Sequence, residues 1–210
     1  MPPSSPLRVT GEGSFSNSNK MKSRSRILIL LSAVILAVVY FFPLWWISLE
    51  APQYPDGIKM YIWVNKITGQ DENTIQNINI LNHYIGMKYI EPDSIPELKY
   101  FPWVIASLIG TGLLIGFLKW RKVAFVWIAM LTLLSILGLY DFWMWEYDYG
   151  HNLDPKAPIK VEGQAYQPPF LGTKWLLNFK ATSWPHGGGI ALFISVILAN
   201  LVWLTELRKK

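Results

Sequence analysis

The chain has three histidines, His83, His151 and His186, and no cysteine. Neutral imidazole is a metal ligand, and softer thioether donors accompany it: Met60, Met87 and Met144 fall in the same two regions of the chain as the histidines. Imidazole combined with sulfur suits Cu(I), whereas a carboxylate set would favour harder ions. His83, Met87, His151 and His186, with Met144, are therefore a candidate copper site. The plainer alternative is that each imidazole only hydrogen-bonds a loop carbonyl or a tyrosine hydroxyl. The missing cysteines exclude disulfides, thiolate metal sites, CxxC redox chemistry and cysteine nucleophiles.

Two enzyme-like patterns do not hold together. His186-Gly187-Gly188-Gly189 resembles the oxyanion loop of lipases, but no GxSxG nucleophile elbow occurs in the sequence. Glycines opening a helix beneath a tight turn explain it better. Glu146, Asp148 and Asp154 offer an acid and a base, yet such residues at a membrane surface read as solvated charges. Catalysis is not expected.

The elements that must position these groups are set by apolar length. About half of the 210 residues are hydrophobic (51%) and 16% are charged, more apolar surface than one small soluble core buries. Crossing roughly 30 Å of hydrocarbon takes about 20 mainly apolar residues. Residues 27–47, 101–118, 123–145 and 187–204 meet that requirement as four transmembrane helices, with Pro43 expected to kink the first and Gly112 and Gly116 forming a GxxxG packing pair. An uncleaved first span fits better than a signal peptide, because its apolar run is long and no small-x-small cleavage site follows it.

Cytoplasmic flanks retain Lys and Arg. Residues 1–26, 119–122 and 205–210 carry eleven bases against Glu12 and Glu206, while the two long loops, 48–100 and 146–186 together with Asp141, hold eight bases and twelve acids. Both termini and the 119–122 turn are therefore expected in the cytoplasm. The net charge of +5 sits at the membrane edges, which argues for a lipid bilayer and against nucleic acid as its partner. Residues 1–26 and 205–210 read as cytoplasmic tails, the first disordered.

The expected fold class is an all-α membrane protein: four transmembrane helices with two long extracytoplasmic loops forming a small cap. In the first loop, residues 71–74 start an amphipathic helix with an apolar stripe at Ile75, Ile78, Leu81 and Ile85 and a stop at Gly86. His83 and Met87 are expected off that stripe. If the third span stays helical past the membrane, Asp141, Met144, Asp148 and His151 share one face, although Gly150 offers a place to stop. Residues 166–170 read as extended. All three histidines fall on the outer side.

The strings NHYIGMK (82–88), DFWMWEYDYGHNLDP (141–155), LLNFKA (176–181) and SWPH (183–186) resemble a family of small bacterial four-helix membrane proteins encoded beside maturation and copper-chaperone genes for periplasmic nitrous oxide reductase. The likeness runs from the first span to the fourth. It implies residence in the bacterial inner (cytoplasmic) membrane and a part in copper delivery or retention while that reductase matures. Nitrous oxide reductase or its copper chaperones would be the partner and copper the only cofactor. The alternative function is a structural subunit that docks a partner through its outer cap without metal.

Overall fold

The computed structural model describes residues 20–161, 163, 165–176 and 178–207; the first nineteen residues of the expected tail lie outside them. Four helices are long and apolar enough to cross a membrane. The first, α1 (Ser23–Leu36), tightens into a 3-10 turn over Ala37–Tyr40; the others are α3 (Glu97–Leu118), α4 (Arg121–His151) and α5 (Gly187–Leu207). Leu31, Val34, Leu114, Phe117, Leu133 and Ile197 point outward from this bundle and are exposed, the arrangement of helices solvated by lipid rather than water.

Inside the bundle, small residues set the contacts. A Cβ on Gly112 would lie 2.6 Å from the Trp127 ring and 3.0 Å from the Ala33 Cβ, and one on Gly116 would lie 2.5 Å from Leu30. The GxxxG pair therefore lets α3 approach α1 and α4 closely. Between α1 and α5, Ser32 Oγ donates to the Ser195 carbonyl and Ser195 Oγ to the Ser32 carbonyl, both at 2.9 Å. At the basic end, buried Glu206 accepts hydrogen bonds from the Lys22 backbone N–H and Ser25 Oγ and sits 3.0 Å from Arg121 Nε.

The all-α expectation is corrected on the other side of the bundle. There the two long loops fold together into one five-stranded antiparallel sheet in the order β3-β2-β1-β5-β4. The strands are β1 (Trp45–Ala51), β2 (Tyr54–Ile62), β3 (Ile67–Gly69), β4 (Gly172–Leu176) and β5 (Phe179–Pro185). Helix α2 (Thr74–Ile85) packs on β2 and β3.

Residues 41–47, assigned to the first helix, leave it instead. Pro43 lacks an N–H and biases Phe42 toward extended backbone, and the Trp45-Trp46-Ile47 run that follows suits a pleated, half-buried surface. Its ladder partner comes from the far end of the chain: Trp45 faces Pro185 and Glu50 faces Lys180, with Lys180 Nζ 2.9 Å from Glu50. Thus β1 continues α1, and β5 leads directly into α5. The glycines of the His186-Gly187-Gly188-Gly189 string make that junction possible. A Cβ on Gly188 or Gly189 would meet the carbonyl oxygens of Phe42 or Leu44 at 2.4 and 2.2 Å.

Candidate functional site

Helix α4 has 31 residues, about 46 Å at roughly 1.5 Å per residue, more than the hydrocarbon needs. Its last turns therefore enter the cap. Gly150 does not end the helix. It is needed because the chain at Tyr166 and Gln167 crosses it: a Cβ there would lie 2.3 Å from Gln167 Cα and N, and the Gly150 carbonyl accepts the Tyr166 N–H at 2.9 Å.

The helix sorts its residues by face. Asp141, Met144, Asp148 and His151 do lie together, and they face outward. The opposite face carries Phe142, Trp145, Glu146 and Tyr149 into the apolar cluster beneath the sheet, with Trp45, Ile47, Met60 and Ile78. The Trp145 and Tyr149 ring centroids are 4.3 Å apart, and Tyr149 Oη donates to the Tyr89 carbonyl at 3.0 Å. Burial raises the Tyr149 phenol above its ordinary range.

Glu146 is the unusual member. It was expected to be solvated, and it is 0% exposed, with neither carboxyl oxygen hydrogen-bonded among the described residues. Burial pushes its carboxyl up to about 8, because a charge removed from water without a partner is disfavoured. At neutral pH the acid is held mainly in its protonated form. Beside it is a cavity of about 60 Å³ whose lining includes Met60, Asn82, Met87 and Tyr166. That space accepts a few water-sized groups at about 15 Å³ each, or one dehydrated ion. Tyr166 is 1% exposed, and its hydroxyl also has no hydrogen-bond partner among the described residues.

The residues named as a copper site lie apart from this acid, with one exception. His83 is exposed on α2, its ring centroid 6.1 and 6.2 Å from those of Tyr84 and Tyr89. His151 stacks on Tyr147 at 3.9 Å, its Nδ1 3.0 Å from the Tyr147 carbonyl. His186 is half-buried at the head of α5, edge-on to Tyr61 at 5.8 Å, with Nδ1 buried and without a hydrogen-bond partner among the described residues. Met144 is partly exposed on the outer face of α4. Among the described residues no three His, Asp or Glu side chains gather to hold a metal ion. Met87 is the exception: it lines the cavity beside Glu146. The expectation that it points away from the α2 stripe is corrected, because Gly86 at φ 81° ends the helix and turns the chain back.

Asp154 is exposed and Asp148 half-exposed, in line with the expectation. Asp148 lies 2.6 Å from Lys88 Nζ, whose hydrogen bond holds its carboxyl below the usual range. A signal for Glu146 was present in the sequence. Trp-Met-Trp-Glu-Tyr-Asp-Tyr-Gly (143–150) sets the glutamate one and three positions from two residues that pack inward, so a helix continuing past the membrane has to bury it. No protein-family model, curated protein or solved structure matches the chain.

Proposed function

We propose that this protein is an accessory subunit of the bacterial inner membrane, with both termini in the cytoplasm, whose extracytoplasmic cap docks a partner protein. The resemblance of residues 82–88 and 141–155 implies nitrous oxide reductase or its copper chaperones as that partner. One observation carries the docking reading. Ile80 and Tyr84 on the outward face of α2, and Tyr89 just beyond its end, are about half exposed (47%, 49% and 50%) and line an open groove with Ile75 and His83 and the polar Gln76, Asn79 and Glu91, a mixture of aromatic, aliphatic and polar groups of the kind protein interfaces use. The groove sits on a cap whose central strands run into α1 and α5, so a docked protein would be held at a fixed place on the membrane.

The test is co-purification of tagged full-length protein from its own membranes in mild detergent. The reductase or its chaperones, identified by mass spectrometry, should elute with the wild type and not with an Ile80→Asp/Tyr84→Asp variant. Their absence from the wild-type eluate, or equal recovery with the variant, overturns docking. Copper delivery or retention is the second reading. Its support lies in the two thioethers that line the Glu146 cavity, Met60 and Met87, more than in the separated histidines.

A further inference from the structure

Glu146 needs a physical reason for being where it is. A carboxyl buried without a hydrogen bond is costly, and in native proteins such a group marks an ion, a water or a functional acid. Among the described residues it is one of two polar side chains at this cavity without a hydrogen-bond partner, the other being Tyr166. The remaining lining is mostly hydrocarbon, apart from the Asn82 amide, which already donates to the Lys88 carbonyl at 3.1 Å, the Tyr149 phenol, which donates to the Tyr89 carbonyl, the Trp145 indole and two thioethers. Met60 is 3% exposed in β2, paired with Ile47 of β1. Met87 reaches the cavity from the turn after α2.

These groups specify a ligand. There is one carboxylate, so one positive charge makes the site neutral; a divalent ion would leave an uncompensated charge in an apolar shell. Two thioethers are soft donors and favour Cu(I) over hard ions. Sodium or potassium would want a fuller oxygen shell than one carboxylate, one amide and two phenols supply, one of those phenols, Tyr149, being already bonded to the Tyr89 carbonyl. The volume of about 60 Å³ admits an ion without its hydration sphere and excludes most organic molecules.

We propose that the cap cavity is a binding site for a single soft monovalent cation of the Cu(I) class, held by the thioethers of Met60 and Met87 and the carboxylate of Glu146. No redox step is involved: the ion enters and leaves as Cu(I), and the carboxyl proton leaves to solvent as the ion enters. This deepens the copper reading above and is independent of docking.

The experiment uses the full chain purified in detergent and stripped with chelator. Cu(I) under ascorbate, with bicinchoninate as competitor, and Ag(I) as a redox-inert probe are added without any partner protein, so docking has no bearing on the result. One equivalent should be retained. Met60→Leu and Met87→Leu, which conserve volume and keep the apolar packing, should each weaken retention at least tenfold, and Glu146→Gln likewise. A His83→Ala/His151→Ala/His186→Ala variant should bind as the wild type. A thermal midpoint for every variant separates lost binding from lost folding, and Met60→Ile and Met87→Ile replace any leucine variant that fails to fold. No retained Cu(I), undiminished binding in the folded Met60/Met87 double variant, loss through the histidine variant alone, or equal retention of Zn(II) would each overturn the proposal. If only the copper result fails, docking stands; if only co-purification fails, the site stands.

Discussion

Raising the pH from 5 to 8 should weaken the metal-free cap, and Glu146 is the cause. Its carboxyl titrates near 4.5 in an unfolded chain and at about 8 in the folded one. Between those values the folded state keeps a proton that the unfolded state has released, so stability is full below the unfolded value and falls as pH rises. The slope is about 1.4 kcal/mol per pH unit, or on the order of 4 kcal/mol across this range. For a chain of this size each kcal/mol moves the thermal midpoint by about 2–4 °C, so the expected drop is about 10 °C. Tryptophan emission during heating reads it, because Trp145 adjoins Glu146 in the chain and lines the same cavity. The assay is run in detergent with chelator present. Glu146→Gln, close in shape and unable to ionise, should flatten the profile. A wild-type midpoint that stays level or rises from pH 5 to 8, or a glutamine variant that keeps the slope, would refute the reasoning.

Other expectations follow from contacts. Gly112→Leu places side-chain atoms inside the Trp127 ring's space and should cost about 1–3 kcal/mol through overpacking, seen as a lower midpoint and easier dissociation of the bundle in SDS. Gly150→Ala drives a methyl into the Gln167 backbone; the segment around Tyr166 should lift from α4 and become the first site of proteolysis. Lys88→Ala removes a half-exposed ion pair worth about 0.2–1 kcal/mol. Because Lys88 lowers the Asp148 carboxyl, its contribution holds above the unfolded value and disappears as pH falls through the folded one, so wild type and variant should converge in strong acid. Ser32→Ala removes one of two reciprocal bonds to Ser195 and should lower bundle stability by about 0.6 kcal/mol, measured by SDS titration.

The four long helices were legible because a span needs only local apolar length, and α2 was legible down to its glycine stop for the same local reason. The sheet was not. In β2, Ile58, Met60 and Ile62 alternate with Lys59 and Tyr61, a period of two, but β1 reads as a continuation of the apolar first span. What makes it a strand is β5, and no local pattern announces a partner so distant. The site divides similarly. Residue chemistry singled out histidines because they are rare and titrate usefully, yet side-chain direction is decided by packing. The long α4 turns Met144 and His151 outward and Glu146 inward. The one candidate that reached the cavity, Met87, did so because Gly86 reverses the chain.

The pairing of β1 with β5 also orders events during synthesis. Glu50 and Lys180 are 130 positions apart, and β5 precedes α5 directly in the chain. The middle of the sheet therefore cannot zip until α4 and the second loop have been made. Until then β1 carries an open edge, with its backbone donors and acceptors unmatched by protein. A ribosome-bound chain lacking its last quarter would hold α1 to α4 and only strands β1 to β3 of the sheet, a natural target for chaperones or proteases. Completion of the cap thus reports that the chain has been made as far as β5, the strand that leads into the last helix.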